Sequence, residues 1–101
     1  MLENMTAATF SEVLNTKFRL QLRSPDFVEL ELIKVEDFAT SSRQVRFSIL
    51  FRGPLDQALL QGMYRMEHDQ LGTFDLFIVP IAKEDDGILY EAVFNRIVKQ
   101  E

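Results

Sequence analysis

The fold is decided by residues 62–95: Gly62-Met63-Tyr64-Arg65-Met66-Glu67-His68, then Asp69-Gln70-Leu71-Gly72, then Thr73-Phe74-Asp75-Leu76-Phe77-Ile78-Val79-Pro80, a polar loop, and finally Ile88-Leu89-Tyr90-Glu91-Ala92-Val93-Phe94-Asn95. Three β-type runs separated by turn chemistry make a meander. Tyr64 and Met66 share one face of the first run. In the second, Phe74, Leu76 and Ile78 share a face while Phe77 and Val79 load the other, so this strand is expected in mid-sheet or beneath a helix. Pro80 is expected to end it. Lys83–Gly87 reads as a solvated turn, after which Tyr90, Ala92 and Phe94 oppose Leu89 and Val93 across the third run. The first hairpin has two readings: a loop over Asp69–Leu71 pairs Arg65 with Asp75, whereas a loop with Gly72 in its left-handed position pairs Glu67 with Asp75.

Such a meander needs cover, and the N-terminal half supplies it. Thr6 to Asn15 reads as a helix, with Thr6 as N-cap and Asn15 in the left-handed position that ends it. Phe10, Val13 and Leu14 fall on one face of that helix. Thr16 to Leu22 alternates, with Phe18, Leu20 and Leu22 on one side and Lys17, Arg19 and Gln21 on the other. Ser24-Pro25-Asp26 is a turn. The return run, Phe27 to Phe38, sets Val28, Leu30 and Leu32 inward. Matching the faces across the turn would pair Leu22 with Val28, Leu20 with Leu30 and Arg19 with Glu31. The apolar phase then passes to Ile33 and Val35, which predicts a β-bulge at Leu32-Ile33.

Ala39 to Ser42 reads as a loop, and Arg43 to Phe51 as a strand with Val45, Phe47, Ile49 and Phe51 on one face. Gly53-Pro54 stops it. Leu55 to Gln61 is either one helical turn or an ordered loop, and Arg96 to Glu101 is a polar tail. One helix and six strands on short connections predict a single α+β, mainly β domain over residues 1–101. Its form is a twisted antiparallel sheet or small open barrel, with the N-terminal helix on one face or closing one end.

Composition narrows function by exclusion. There is no cysteine, so disulfides, thiolate catalysis and cysteine-ligated metals are ruled out. A net charge of −5 argues against a nucleic-acid partner, because such binding is driven largely by phosphate neutralisation. No apolar run approaches the roughly 18 residues of a membrane-spanning helix. The N-terminal Met-Leu-Glu-Asn-Met-Thr has no signal-peptide pattern, so a cytoplasmic site is expected.

Few residues offer chemistry. His68 is the only histidine. Flanked by Glu67 and Asp69, it reads as a base or metal ligand, or as an imidazole bonding local backbone at a turn; the sequence shows no partner constellation for the first. Glu84-Asp85-Asp86-Gly87 lacks the ligand spacing of a calcium loop. Glu29 and Glu31, two apart on a strand, resemble a glycosidase pair, but two carboxylates on a wet face with arginine neighbours are more often solubilising. Arg43, Arg46 and Arg52, joined by Arg65, make either an anion-binding patch or cross-strand partners for glutamates. Tyr64, Tyr90 and His68 would be the polar handles of a ligand site inside a barrel. No cofactor is implied.

The series Phe51-Arg52-Gly53-Pro54, Gln61 to His68, Leu71-Gly72, Leu76 to Ile81 and Tyr90 to Asn95 resembles a family of small bacterial single-domain proteins of unknown function. The resemblance implies no activity or catalytic residue. Such families tend to stand beside phage-tail-like or collar proteins in bacterial genomes, which implies a place in assembly. The expectation is a non-enzymatic protein-interaction or structural domain, with a protein partner or a homodimer through an edge strand. The alternative is a small-ligand-binding barrel.

Overall fold

The computed structural model describes residues 5–23, 25–38 and 44–97. Among them the chain forms one short helix, α1 (Ala7–Ser11), and six strands: β1 (Lys17–Gln21), β2 (Phe27–Asp37), β3 (Gln44–Gly53), β4 (Gly62–His68), β5 (Gly72–Glu84) and β6 (Gly87–Ile97). Neighbouring strands run antiparallel and close into a barrel in the order β1-β2-β3-β6-β5-β4. Closure comes from β1, which pairs with β2 along its length and joins β4 through Arg19↔Glu67 and Leu20↔Met66. The loop expected at Ala39–Ser42 lies outside the described residues.

The helix begins where expected. Thr6 and Thr9 form a reciprocal capping box, each side-chain oxygen accepting the other's backbone N–H. Asn15 takes the left-handed conformation, with φ 69°. The helix is shorter than the sequence suggests, however, ending at Ser11, so its periodicity does not carry Leu14 onto the buried face. Phe10 and Val13 are buried and Leu14 is exposed.

Position explains how so short a helix is held. β5 and β6 pair from Glu84↔Gly87 to Val79↔Glu91, and beyond that no pairing joins them among the described residues. The ends carrying Phe74 and Phe94 therefore part. Phe10 fills the opening, its ring centroid 5.4 Å from Phe94, 5.9 Å from Phe47 and 6.3 Å from Phe74. Behind it, Phe18 meets Phe51 edge-on at 5.2 Å, and Phe47 stacks on Phe94 at 4.4 Å. An isolated helix of this length would not persist in water, so its order comes from this aromatic docking. The Arg96 guanidinium fixes the chain ahead of it by donating to the Met5 carbonyl at 2.6 Å.

The β1–β2 register differs from expectation. The pairs are Leu20↔Val28, Phe18↔Leu30, Arg19↔Glu29 and Lys17↔Glu31, so each β1 residue meets a partner two positions earlier than expected, and the loop is shorter by two residues. The turn is closed by Asp26 N–H donating to Arg23 O at 2.7 Å, with Leu22 N–H donating to Asp26 O at 3.0 Å. Leu22 and Asp26 thus face each other across the turn. A two-residue change preserves which side chains point inward, so the apolar pattern alone cannot distinguish the registers. It does leave Leu22 at the barrel rim, 39% exposed.

The bulge in β2 lies where the phase change predicts. Leu32 pairs with Phe51 and Lys34 with Leu50, leaving Ile33 as the extra residue and turning Val35 against the core. Pro80 does not end β5, which continues to Glu84 with an irregularity between Pro80 and Ala82. By Pro80 the strand has run past β4, whose last pair with it is Gly62↔Ile78, and proline is tolerated at such an edge and at bulges. β6 likewise runs past Asn95 to Ile97, because β3 extends alongside it to Gln44.

Residues 55–61 form an ordered loop without a helical turn. The outer face of β5 is uncovered, since the single helix sits against the interior: Phe77 is 46% and Ile81 50% exposed. The first hairpin combines both of its readings. Arg65 pairs with Asp75, and Gly72 nevertheless takes a positive φ of 82°. No helix among the described residues is long and apolar enough to cross a membrane.

Candidate functional site

The barrel interior is filled by the aromatic cluster, and the three polar handles proposed for it are engaged with the protein's own backbone. The Tyr90 hydroxyl, fully buried, accepts the N–H of Leu59 at 2.9 Å. The Tyr64 hydroxyl donates to the Leu60 carbonyl at 2.7 Å. Both tyrosines therefore anchor the loop between β3 and β4. No buried side-chain nitrogen or oxygen among the described residues lacks a partner.

His68 closes the first hairpin. Its Nδ1 accepts the backbone N–H groups of Gln70 and Leu71, at 3.0 and 3.3 Å, so the ring proton sits on Nε2. Nε2 donates to Thr16 Oγ1 at 2.8 Å, and the Thr16 hydroxyl donates to the Val13 carbonyl at 2.6 Å. The imidazole lies 4.3 Å from the Phe18 ring and is 5% exposed. Its pKa is lowered from the ordinary value of 6.5, first by desolvation, with Asp69 opposing and Arg19 reinforcing the shift. This neutral imidazole binds local backbone. Among the described residues, no group of three His, Cys, Asp or Glu side chains is arranged to hold a metal ion.

The arginines are dispersed. Arg46 lies over the Phe38 ring at 5.9 Å. Arg52, six residues further along the outer face of β3 and thus about 20 Å away, reaches Glu31 at 3.5 Å and Asp86 at 3.1 Å. Arg65 pairs with Asp75 at 3.2 Å on β4, which stands opposite β3 in the ring. Arg43 lies outside the described residues. The cross-strand role accounts for Arg52 and Arg65, and the structure does not bring Arg46, Arg52 and Arg65 together.

Two surface features remain. The first is a cleft of about 680 Å³ at the end of the barrel where β2 meets the β3–β4 loop, lined by Phe27, Glu29, Glu31, Lys17, Arg52 and Gln57 among others. Glu31 and Arg52 face one another in its wall, and Arg52 ties the β5–β6 turn to it through Asp86. That turn packs closely: a Cβ on Gly87 would lie 2.5 Å from Arg52 Cγ and 2.7 Å from Gly53 O. Of these residues, the sequence singled out Glu29, Glu31 and Arg52. Lys17, Phe27 and Gln57 join them only through the β1–β2 register and the β3–β4 loop.

The second feature is apolar. Met63 and Phe77 are direct ladder partners on the outer face of β4 and β5, and Val93 lies on the outer face of β6, one same-face step beyond the Val79↔Glu91 pair. They are 64%, 46% and 67% exposed. The doubly apolar pattern of the second run carried the signal for this row, which was read there as burial.

No curated protein and no solved structure matches the chain. The family model described as a domain of unknown function, DUF6916, matches residues 5–94, nearly the whole of the barrel and its helix, and the chain belongs to that family.

Proposed function

We propose that this domain is a non-enzymatic protein-interaction or structural module, serving as an accessory subunit of a larger, phage-tail-like assembly in the bacterial cytoplasm. The observation that carries this reading is the exposed row Met63, Phe77 and Val93 on the wall of a barrel whose own core is already filled. Large apolar side chains grouped on a surface favour association, and aromatic and Met side chains are enriched at interfaces. The engaged state of His68, Tyr64 and Tyr90 supports the non-enzymatic part, since a general base needs a lone pair free for substrate. The test is recovery of partners from the native host with wild-type protein and with the Phe77→Glu and Val93→Glu variants. Loss of a specific partner with both variants supports the reading; a partner set unchanged by either defeats it.

The cleft favours a second reading, a small-ligand-binding domain. Its volume falls in the range of roughly 300–1,000 Å³ typical of ligand sites, and it combines an exposed aromatic ring with carboxylates, an ammonium and an amide. Lys17 and Glu29 have no ion-pair partner among the described residues. Amide shift mapping against a library of small polar compounds tests this; saturable shifts at Lys17, Glu29 and Gln57 are expected, and their absence across the library sinks it.

A further inference from the structure

Up to Leu32, β2 has neighbours on both sides. Phe27–Glu31 pair with β1, and Leu32 donates to Thr16 O at 3.0 Å while accepting from Asn15 N–H at 2.7 Å. At Asn15 the chain turns away, and beyond it residues 34–36 have β3 on one side and no strand on the other among the described residues. Phe38 N–H donates to Arg46 O at 2.8 Å, so the backbone groups of Lys34 and Glu36 also point to β3. Those of Val35 point the other way, to the open edge.

Open edges invite pairing, and proteins ordinarily blunt them with proline, bulges or charge. The exposed edge of β5 beyond Val79 carries Pro80, the irregularity that follows it and Lys83. The β2 edge carries Lys34 and Glu36 instead, both half exposed and 3.5 Å apart. Charge blunts an edge when like meets like in a second copy. Here the order of signs does the reverse.

We propose that residues 34–36 pair antiparallel with the same edge of a second copy of this chain, about a two-fold axis at Val35. In that register the outward N–H and C=O of the two Val35 residues bond each other. Lys34 then faces Glu36 of the second copy, and Glu36 faces its Lys34. Centring the axis on Lys34 or on Glu36 would instead oppose like charges, lysine to lysine or glutamate to glutamate. A one-residue slip would set inward side chains against outward ones. The self-complementary register is therefore unique on this edge, and the contact is isologous, as two-fold dimers require.

The proposal rests on the interaction role given above and names one partner, through a surface separate from the Met63, Phe77 and Val93 row. Three paired residues bury less than a standard interface of about 1,200 Å² or more, so the dimer is weak and exchanges quickly. Sedimentation equilibrium of the full chain, from about 10 μM to 1 mM, tests it. Wild-type protein is expected to show a monomer–dimer equilibrium. K34E and E36K each set like charges opposite twice per dimer and are expected to weaken association at least about tenfold. The double variant K34E/E36K restores both opposite pairs and should return to within about threefold of wild type. Circular dichroism confirms that these exposed substitutions leave the fold intact. A strict monomer at every concentration overturns the proposal, as does a dimer unmoved by the single reversals or a double variant no tighter than the singles. Phe77→Glu should leave the dimer unchanged, so failure at this edge and failure of the apolar row read out separately.

Discussion

The hydroxyl of Tyr90, on the central stretch of β6, holds the backbone N–H of Leu59 at 2.9 Å and so fastens the β3–β4 loop to the barrel core. Leu59 is 8% exposed, and its N–H has no regular-structure partner to fall back on. Tyr90→Phe keeps the ring and removes the acceptor, leaving a buried donor unsatisfied at a cost of about 1–3 kcal/mol. Chemical denaturation should show the loss, and amide exchange at Leu59 should rise more than exchange in β6. An unchanged midpoint with unchanged Leu59 protection would show that the bond contributes nothing.

His68 makes stability depend on pH, with a sign set by its hydrogen bonds. Its Nδ1 must stay unprotonated to accept from Gln70 and Leu71, and burial lowers its pKa below the unfolded value of 6.5. Between that lowered pKa and 6.5 the unfolded chain binds the proton and the folded chain does not. The contribution is therefore fully present above pH 6.5 and is lost as pH falls through this window. Wild-type stability should fall more steeply than that of His68→Gln on acidification from pH 7 to 5. Parallel profiles for the two proteins would contradict this sign. Nitrogen shifts of the imidazole should also report the Nε2–H tautomer at pH 7.

The parts of this fold legible in the sequence are those fixed by local chemistry. Thr6 and Asn15 bracket the helical segment, the phase change at Leu32-Ile33 marks the bulge, and alternation assigns Phe18, Leu20, Phe47, Ile49, Phe74, Leu76 and Ile78 to the interior. What escaped depends on separation along the chain. Pro80 reads as a terminator until β4 is known to stop short of it, and Phe77 reads as buried until α1 is known to lie inside the barrel. The β1–β2 register escaped because a two-residue shift keeps every face. For the site, His68 was legible as a turn residue from its neighbours, but the cleft joins residues from β1, β2, β3 and a loop that no local pattern links.

Phe10 is the large side chain that α1 contributes to the core, in contact with rings from β1, β3, β5 and β6. Truncating it leaves a void where β5 and β6 part, and Phe10→Ala should cost on the order of 3–5 kcal/mol. A denaturation midpoint that barely moves would mean that the helix docks without stabilising the barrel. Because the helix closes one end only, loss of far-UV signal from the strands is not expected in buffer.

The first hairpin holds in one register two features that the sequence had assigned to different ones. Arg65 and Asp75 meet at 3.2 Å, but their side chains are 63% and 55% exposed, and pairs of this kind are worth about 0–1 kcal/mol. Gly72, at φ 82°, occupies a conformation that costs an L-residue with a Cβ roughly 1–2 kcal/mol. Backbone conformation should therefore outweigh charge. Gly72→Ala is expected to destabilise more than Arg65→Ala, and Arg65→Ala should leave the cross-strand contacts between β4 and β5 in place. Urea midpoints rank the two variants, and nuclear Overhauser contacts between Met66 and Phe74 report the register. If Arg65→Ala alone shifted those contacts, the ion pair and not the glycine would be the determinant of this turn.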